Sequence, residues 1–467
     1  MLVGAFGSAR PSAGELLMTV MARTWDRLTL PGKALAILLP LGAVLTIGLI
    51  LVIALFGQNI LDILIFNLPI VRFVFAATIL LLLAPPIAFV IIYMEMKIIA
   101  LMNLRIGPDR VGPWGSLLST VHGLKVLMKE DFTPTKADAV VFTWAPVIVF
   151  GAAAMSALVL PFAPGLYGQD FNIGLLYFFA IGGMTVVGLL MGGWSSFNKY
   201  SLLGGIRSAA QIVSYEIPLT LSVVGLVILA GTMSLNQIVQ QQGASGWFTD
   251  WYAFRQPLGL VIFFIAATAE ANRTPFDLTE ADSEIVAGFA TEYSGMRFGF
   301  FFFAEYIGVF IISALTTVLF LGGWNAPFPV PHISWIIDPS SLGLWLLLGI
   351  MIVPVIATLL FAAPVYLFRS KTRWWVALII GFVVFNLVAG GLFFLWAYIN
   401  FDWVAGLIWF LGKAFGLVFL FVWMRGTLPR VRIDQLMGFA WKWLLPAALL
   451  NLFITAAAIL VIDRIRP

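Results

Sequence analysis

The stretch LGLVIFFIAATAEANRTPFDLTEADSEIVAGFATEYSGMRFGFFFFAEYIGVFIISALTTVLFL, residues 258–321, decides the fold. Both of its ends are apolar enough to sit in lipid. Its middle holds Glu270, Asp277, Glu280, Asp282, Glu284, Glu292 and Glu305, seven of the chain's 22 acidic residues, with Arg273 and Arg297 among them. Ionised groups at membrane depth cost several kcal/mol each unless they are paired, hydrated or protonated. A solvated loop accounts for the centre of the stretch. It does not account for Glu270 and Glu305, which lie inside apolar runs.

Working outward, the whole chain is 61% hydrophobic and 10% charged, with a mean hydropathy of +1.03. A soluble domain would carry about 25% charged residues. Spanning backbone must satisfy its own hydrogen bonds, and long unalternating apolar runs select helices over a barrel. The chain is therefore read as an all-α polytopic membrane protein with about eleven transmembrane helices. The expected spans are 34–56, 73–93 (interrupted at Pro85-Pro86), 144–162, 172–194, 213–231, 258–269, 300–322, 343–367, 375–398, 404–424 and 444–462. With the N-terminus inside, Arg72, Arg255, Arg464 and Arg466 are the cations that fall outside, and Lys413 lies within a helix; the rest of the 26 Lys and Arg residues face the cytoplasm. That bias predicts an N-in, C-out topology with the acidic loop on the cytoplasmic side. Residues 95–143 read as a non-spanning segment with a Gly/Pro turn, GPDRVGP, followed by an amphipathic surface helix in SLLSTVHGLKVLMKED.

There is no cysteine, and the two histidines, His122 and His332, are far apart. Thiolate iron–sulfur ligation, bis-histidine haem and zinc sites are thus not expected in this chain. No Walker A loop or dinucleotide fingerprint is found. Thr279 followed by Glu280, Asp282 and Glu284 resembles a helix start, which places Asp277, Glu280 and Glu284 near one face. Close carboxylates of this kind can share protons. Glu216, just before Pro218, is expected at the cytoplasmic mouth of its span, as a cap residue or as a functional carboxylate. Lys413, mid-helix, calls for a carboxylate partner, and Glu305 is the candidate. His122 reads as a polar-face residue of the amphipathic helix.

These residues resemble a known family. The AEANRTPFDLTEADSEIVAGFATEYSGMRFGFFFFAEY run, RIGPDRVGPWG (105–115), GLKVLMKED (123–131), GGWSSFNKYSLLGGIRSAAQIVSYEIP (192–218) and RGTLPRVRIDQLM (425–437) look like the H subunits of respiratory complex I, the proton-translocating NADH:quinone oxidoreductase. The resemblance implies a membrane component that forms the membrane part of the quinone tunnel and opens the proton-translocation path. Its proton path would use Glu216, Glu270, Asp277, Glu280, Asp282, Glu284, Glu292, Glu305 and Lys413. Glu95, Lys97, Arg105, Arg273, Phe276 and Arg297 would line the tunnel and shape its loop. Two departures stand out: Asp282 replaces a common glutamate, and Met96-Lys97 stand where an arginine pair usually follows Glu95. No cofactor is expected on this chain; quinone would be the substrate, with NADH, FMN and iron–sulfur clusters in partner subunits.

The same resemblance implies an organisation. Residues 1–33 would be a cytoplasmic extension and 34–71 an extra helix with its loop. The core would occupy 72–325, an inserted helix pair 326–402, and the last two core helices 403–467, giving an eight-helix core plus three additions. The expected partners are quinone, the peripheral quinone module, the other membrane-arm subunits and the lipid bilayer, with no nucleic acid, and the expected location is the bacterial plasma membrane. Two alternatives are a membrane subunit of a related hydrogenase-type complex and a stand-alone carboxylate-based ion transporter.

Overall fold

The computed structural model describes residues 69–244, 246–277, 287–328 and 402–465. The chain divides into two compact units, Met1–Arg72 and Phe73–Pro467. Only residues 69–72 of the first are described. The expected spans 34–56, 343–367 and 375–398 lie outside the described residues, as do Glu280, Asp282 and Glu284.

Seven described helices are long and apolar enough to cross a membrane. Alpha-helices run α1 Pro69–Met102, α2 Leu118–Leu127, α3 Ala139–Ala157, α4 Gly174–Ser195, α5 Lys199–Ala230, α6 Leu235–Gln241, α7 Pro257–Glu270, α8 Gly295–Phe320, α9 Asp402–Thr427, α10 Ile433–Phe439 and α11 Leu445–Ile465. A π-helical turn at Ala440–Leu444 joins α10 to α11. Three of the described helices, α3, α5 and α6, start where the sequence supplies a side-chain cap. Asp138 accepts from the Val140 and Val141 amides ahead of α3, and Asn198 accepts from Tyr200 N ahead of α5. Gly231, at φ 68°, ends α5 in the left-handed conformation.

Several boundaries differ from expectation, and each difference moves a candidate residue. Helix α1 runs on to Met102, so Glu95 and Lys97 sit on a helix rather than in a connecting segment. Helix α3 begins at Ala139 rather than 144. Helix α5 begins at Lys199, because one face of KYSLLGGIRSAAQ, with Ser201, Gly204, Gly205, Ser208 and Gln211, is buried against protein, while Tyr200, Leu203 and Ile206 are exposed. Glu216 is consequently an interior residue of α5, and the cap reading fails. The amphipathic helix is α2, ten residues long, with His122 exposed on it.

Helix α5 packs on α4, α7 and α11, while α8 packs on α3 and α9. In lipid the contacts between helices rest on close packing and polar links rather than on expulsion of water. Gly193 of α4 and Gly205 of α5 show this. A β-carbon on Gly193 would lie 2.8 Å from the Ser201 carbonyl oxygen and 3.1 Å from the Gly205 α-carbon. Helix α8 is almost wholly buried beyond Ile307, apart from Gly308. Its Ser313, Thr316 and Thr317 hydroxyls donate to carbonyls one turn back, on Val309, Ile312 and Ser313. Helix α7 has only 14 residues, about 21 Å at 1.5 Å per residue. It starts at Pro257 behind Gln256, a buried residue whose amide donates to Thr455 on α11 at 3.1 Å.

Candidate functional site

The turn after α7 is the centre of the site. Its backbone closes locally: Ala271 N donates to Ala267 O at 2.9 Å, Arg273 N to Thr268 O at 3.2 Å, and Phe276 N to Arg273 O at 2.8 Å. Asn272, at φ 51°, reverses the chain, a conformation asparagine tolerates better than most residues. The result lays Arg273 into the protein, where it is buried.

Arg273 joins two carboxylates from different helices. Its Nη1 lies 3.4 Å from Glu95 of α1 and its Nη2 3.3 Å from Glu305 of α8. The second approach is an ion pair without hydrogen-bond geometry. The guanidinium also stacks over the Tyr306 ring at 4.4 Å. Burial opposes the charge of Arg273, but Glu305 and Glu95 outweigh it and hold its pKa above the ordinary arginine value. Glu95 takes a second cation, Arg425, from the end of α9. The charges therefore alternate across α9, α1, the turn and α8.

Two cavities meet this chain of charges. One, of about 360 Å³, is lined by Glu95, Met96, Arg105 and Leu118 among others. The other, of about 310 Å³, is lined by Glu270, Asn272 and Glu305 together with Phe178, Phe298 and Phe301. Arg273 stands between the carboxylate on the first and a carboxylate on the second. Glu216 and Glu270 both come to the Gly182-Gly183 doublet of α4. A β-carbon on Gly182 would lie 3.9 Å from Glu270 Oε1, and one on Gly183 would lie 3.7 Å from Glu216 Oε1. The doublet gives the two carboxylates room.

The other candidates have more structural surroundings. Asp277 is buried and accepts from Arg430 Nη2 at 3.1 Å, while Val431 N donates to the Pro275 carbonyl at 3.0 Å. Arg297 reaches Asp131 at 3.2 Å and Thr133 at 2.7 Å, and lies over the Phe142 ring. Glu292 accepts from Asn198 at 2.6 Å, so it braces the start of α5. Phe276 packs on Tyr215, with ring centroids 5.6 Å apart. Beside these, Tyr293 stacks on Phe142 and donates to its carbonyl at 3.2 Å. Burial pushes the Tyr293 phenol up to about 12, against the opposing pull of Ser195, Arg297 and Ser196.

Lys413 departs from the expected pairing. Its ammonium donates to the Leu321, Gly323 and Asn325 carbonyls at 2.7, 3.0 and 2.5 Å and lies 4.2 Å from the centre of the Trp251 ring. A cation at the carbonyl end of a helix is stabilised by the helix dipole and by the unpaired acceptors there. Carbonyls thus replace the anticipated Glu305. Arg425, Arg430 and Gln211 were not anticipated. A signal for the arginines was present in RGTLPRVR (425–432), a basic cluster at the end of an apolar run that complements the acidic stretch. Among the described residues, no three His, Cys, Asp or Glu side chains gather so as to hold a metal ion.

A family model described as NADH dehydrogenase matches residues 74–456. The chain is 43% identical over 387 residues to the H subunit of the NADH-quinone oxidoreductase of Bacillus cytotoxicus, covering 82% of this chain and 93% of that one. The Bacillus mycoides protein of the same name matches with the same identity and coverage. That of Anoxybacillus flavithermus is 42% identical over 363 residues, 78% of this chain and 86% of the relative.

Proposed function

Since the chain belongs to the NADH dehydrogenase family, with H subunits of NADH-quinone oxidoreductases among its relatives, we propose that it couples quinone reduction to proton transfer as the H subunit of such a complex. It is a multi-pass protein of the bacterial plasma membrane. The end of the bundle that carries the 271–277 turn and residues 425–432 would face the cytoplasm, where the positive-inside rule puts its arginines.

The observation that carries this reading is the position of Arg273 between Glu95, on one cavity, and Glu305, on the other. The Glu95 cavity, with Arg105 on its wall and Lys97 on the same helix, would form this chain's part of the quinone tunnel. Electrons arrive from partner subunits that carry NADH, FMN and iron–sulfur clusters. Two electrons and two protons convert the quinone to quinol. A unit charge appearing about 4 Å from Glu95 changes its energy by about 4 kcal/mol at an effective dielectric of 20. Arg273 redistributes that change, because any pull toward Glu95 is a pull away from Glu305. The second cavity then supplies two protonatable groups, Glu305 at the hub and Glu270 at the glycine doublet, and Glu216 follows on the other side of the doublet. Asp277, Glu280, Asp282 and Glu284 would gather protons from the cytoplasm. Glu292 and Lys413 would keep the path's framework, since their contacts are to Asn198 and to backbone carbonyls.

Glu305→Gln and Glu270→Gln keep side-chain volume and remove titration. In reconstituted vesicles each variant complex should assemble, while quinone reduction and proton pumping fall together by at least tenfold. Normal rates of both processes in both variants would overturn the path.

A further inference from the structure

Gln211 of α5 is 1% exposed, and nothing in the charge pattern points to it. Its carboxamide nitrogen lies 2.8 Å from the Ala269 carbonyl, 2.8 Å from the Phe276 carbonyl and 3.2 Å from Asn272 Oδ1. An NH₂ group has two hydrogens, and the two shorter contacts go to backbone on opposite sides of the turn. Ala269 closes α7 and Phe276 ends the reversal, so one side chain fixes the width of the hairpin between them. Glu270 and Arg273 lie inside that hairpin, and Asp277 follows it directly. One helical turn along α5, Tyr215 packs its ring on Phe276 and donates its hydroxyl to the Leu436 carbonyl at 3.0 Å. The next residue, Glu216, comes to the glycine doublet. The same short piece of α5 therefore holds the turn, lines the second cavity with Ile212 and carries Glu216 beside the doublet.

We propose that Gln211 is a positioning residue for the coupling site: its NH₂ group sets where the turn presents Arg273 to Glu95 and Glu305. This rests on the function proposed above and deepens it. Gln211 neither takes a proton nor touches quinone; it acts through the backbone of the turn. Replacing the amide by an apolar group would leave both carbonyls buried without this donor, the costly half of a broken hydrogen bond. Replacing it by glutamate is more informative. A protonated carboxylic acid can still donate to one carbonyl, while a carboxylate repels both.

The test uses the assembled complex in native membranes, with Gln211→Met and Gln211→Glu. Amide hydrogen exchange across 269–277 should accelerate at least tenfold in Gln211→Met, with peptides from α4 unchanged. Quinone-reductase kcat should fall about tenfold in Gln211→Met at every pH. Gln211→Glu should match it at pH 8 and regain several-fold as the pH falls to 6. Wild-type exchange in both variants would overturn the inference, whatever the turnover. So would identical pH profiles for the two variants where both turn over more slowly than wild type. If Gln211→Met does not assemble, the pH dependence of exchange in Gln211→Glu decides: faster at pH 8 than at pH 6 relative to wild type supports the clamp, and no difference refutes it. Faster exchange with unchanged turnover would leave the clamp standing and count against the proposed coupling function.

Discussion

Arg430→Met tests whether the turn is tied electrostatically to the segment after α9. In the folded chain Arg430 Nη2 sits 3.1 Å from Asp277 Oδ2, and the two side chains are 39% and 6% exposed. At that separation and an effective dielectric of 20 the gross attraction is about 5 kcal/mol. The exposure of Arg430 means that water already screens part of it, whereas breaking a fully buried pair costs about 3–5 kcal/mol. The expected loss is therefore at the low end, about 2–3 kcal/mol, and it arises mainly from leaving Asp277 buried beside a methionine. Expressed wholly in the rate of irreversible thermal dissociation of the complex, that is about 30- to 150-fold at 1.36 kcal/mol per decade. Native electrophoresis after timed heating in mild detergent would read it. The decisive comparison is Arg430→Met with Asp277→Asn added. If the buried charge is the cause, the double variant should recover most of the lost lifetime. If Arg430→Met and the double variant decayed at the same rate, the reasoning would fail. The damage would then belong to lost packing of the arginine stem, or to the neighbouring Val431–Pro275 backbone bond.

Two further outcomes follow from the same contacts. Tyr293 is buried and protonated well above the ordinary tyrosine range. Its stabilising share is fully present below pH 10 and disappears as the pH rises through about 12, a loss of at most about 3 kcal/mol. Alkaline dissociation of the complex over that window should be shallower in Tyr293→Phe, and identical profiles would refute the assignment. Lys413→Met removes the donor from three carbonyls beyond α8 and should destabilise by roughly 3–5 kcal/mol. Because Lys413 is tied to carbonyls, its effect should add to that of Glu305→Gln within about 0.5 kcal/mol. A larger coupling would restore the Lys413–Glu305 pairing.

What the sequence revealed and what it withheld have physical causes. Apolar runs long enough to span are visible as such, and the described spans occur where expected, although several ends move by a turn or more. Those ends moved because a helix lined with Ser, Gly and Gln can continue among protein neighbours where lipid would not accept it, as the first half of α5 does. The short α7 was legible as short, since its run ends in Glu270. Carboxylates stood out because ionised groups are rare in this chain. Their partners did not, because Glu95, Arg273, Glu305 and Arg425 are separated by up to hundreds of residues and pairing depends on how helices pack. Gln211 was hidden for a different reason. A neutral amide in a helix leaves no mark in charge or hydropathy, and its role lies in carbonyls that every residue possesses. Lys413 was legible as a buried cation, but helix-end carbonyls, which sequence does not display, took the place of a carboxylate.

The brevity of α7 has a consequence for the membrane voltage. A hydrocarbon core is about 30 Å thick, and α7 covers about 21 Å of it. The remainder falls to what flanks the helix: Gln256 and its partner Thr455 at one end, and the turn with Arg273 at the other. Polar, hydratable matter conducts displacement charge better than lipid, so a layer insulated over the length of α7 alone would be thinner by roughly a third. A transmembrane potential of 100 mV is worth about 2.3 kcal/mol for each elementary charge carried fully across. Along α7 that drop is compressed into the shorter layer. On the proposed function, a proton moving a few ångströms between carboxylates at its end would work against a steeper field than one moving the same distance beside α8, whose 26 residues are long enough for the full thickness. The respiratory voltage would then weigh directly on the proton step proposed at Glu270, and back-pressure from the membrane would be felt at this end of the bundle.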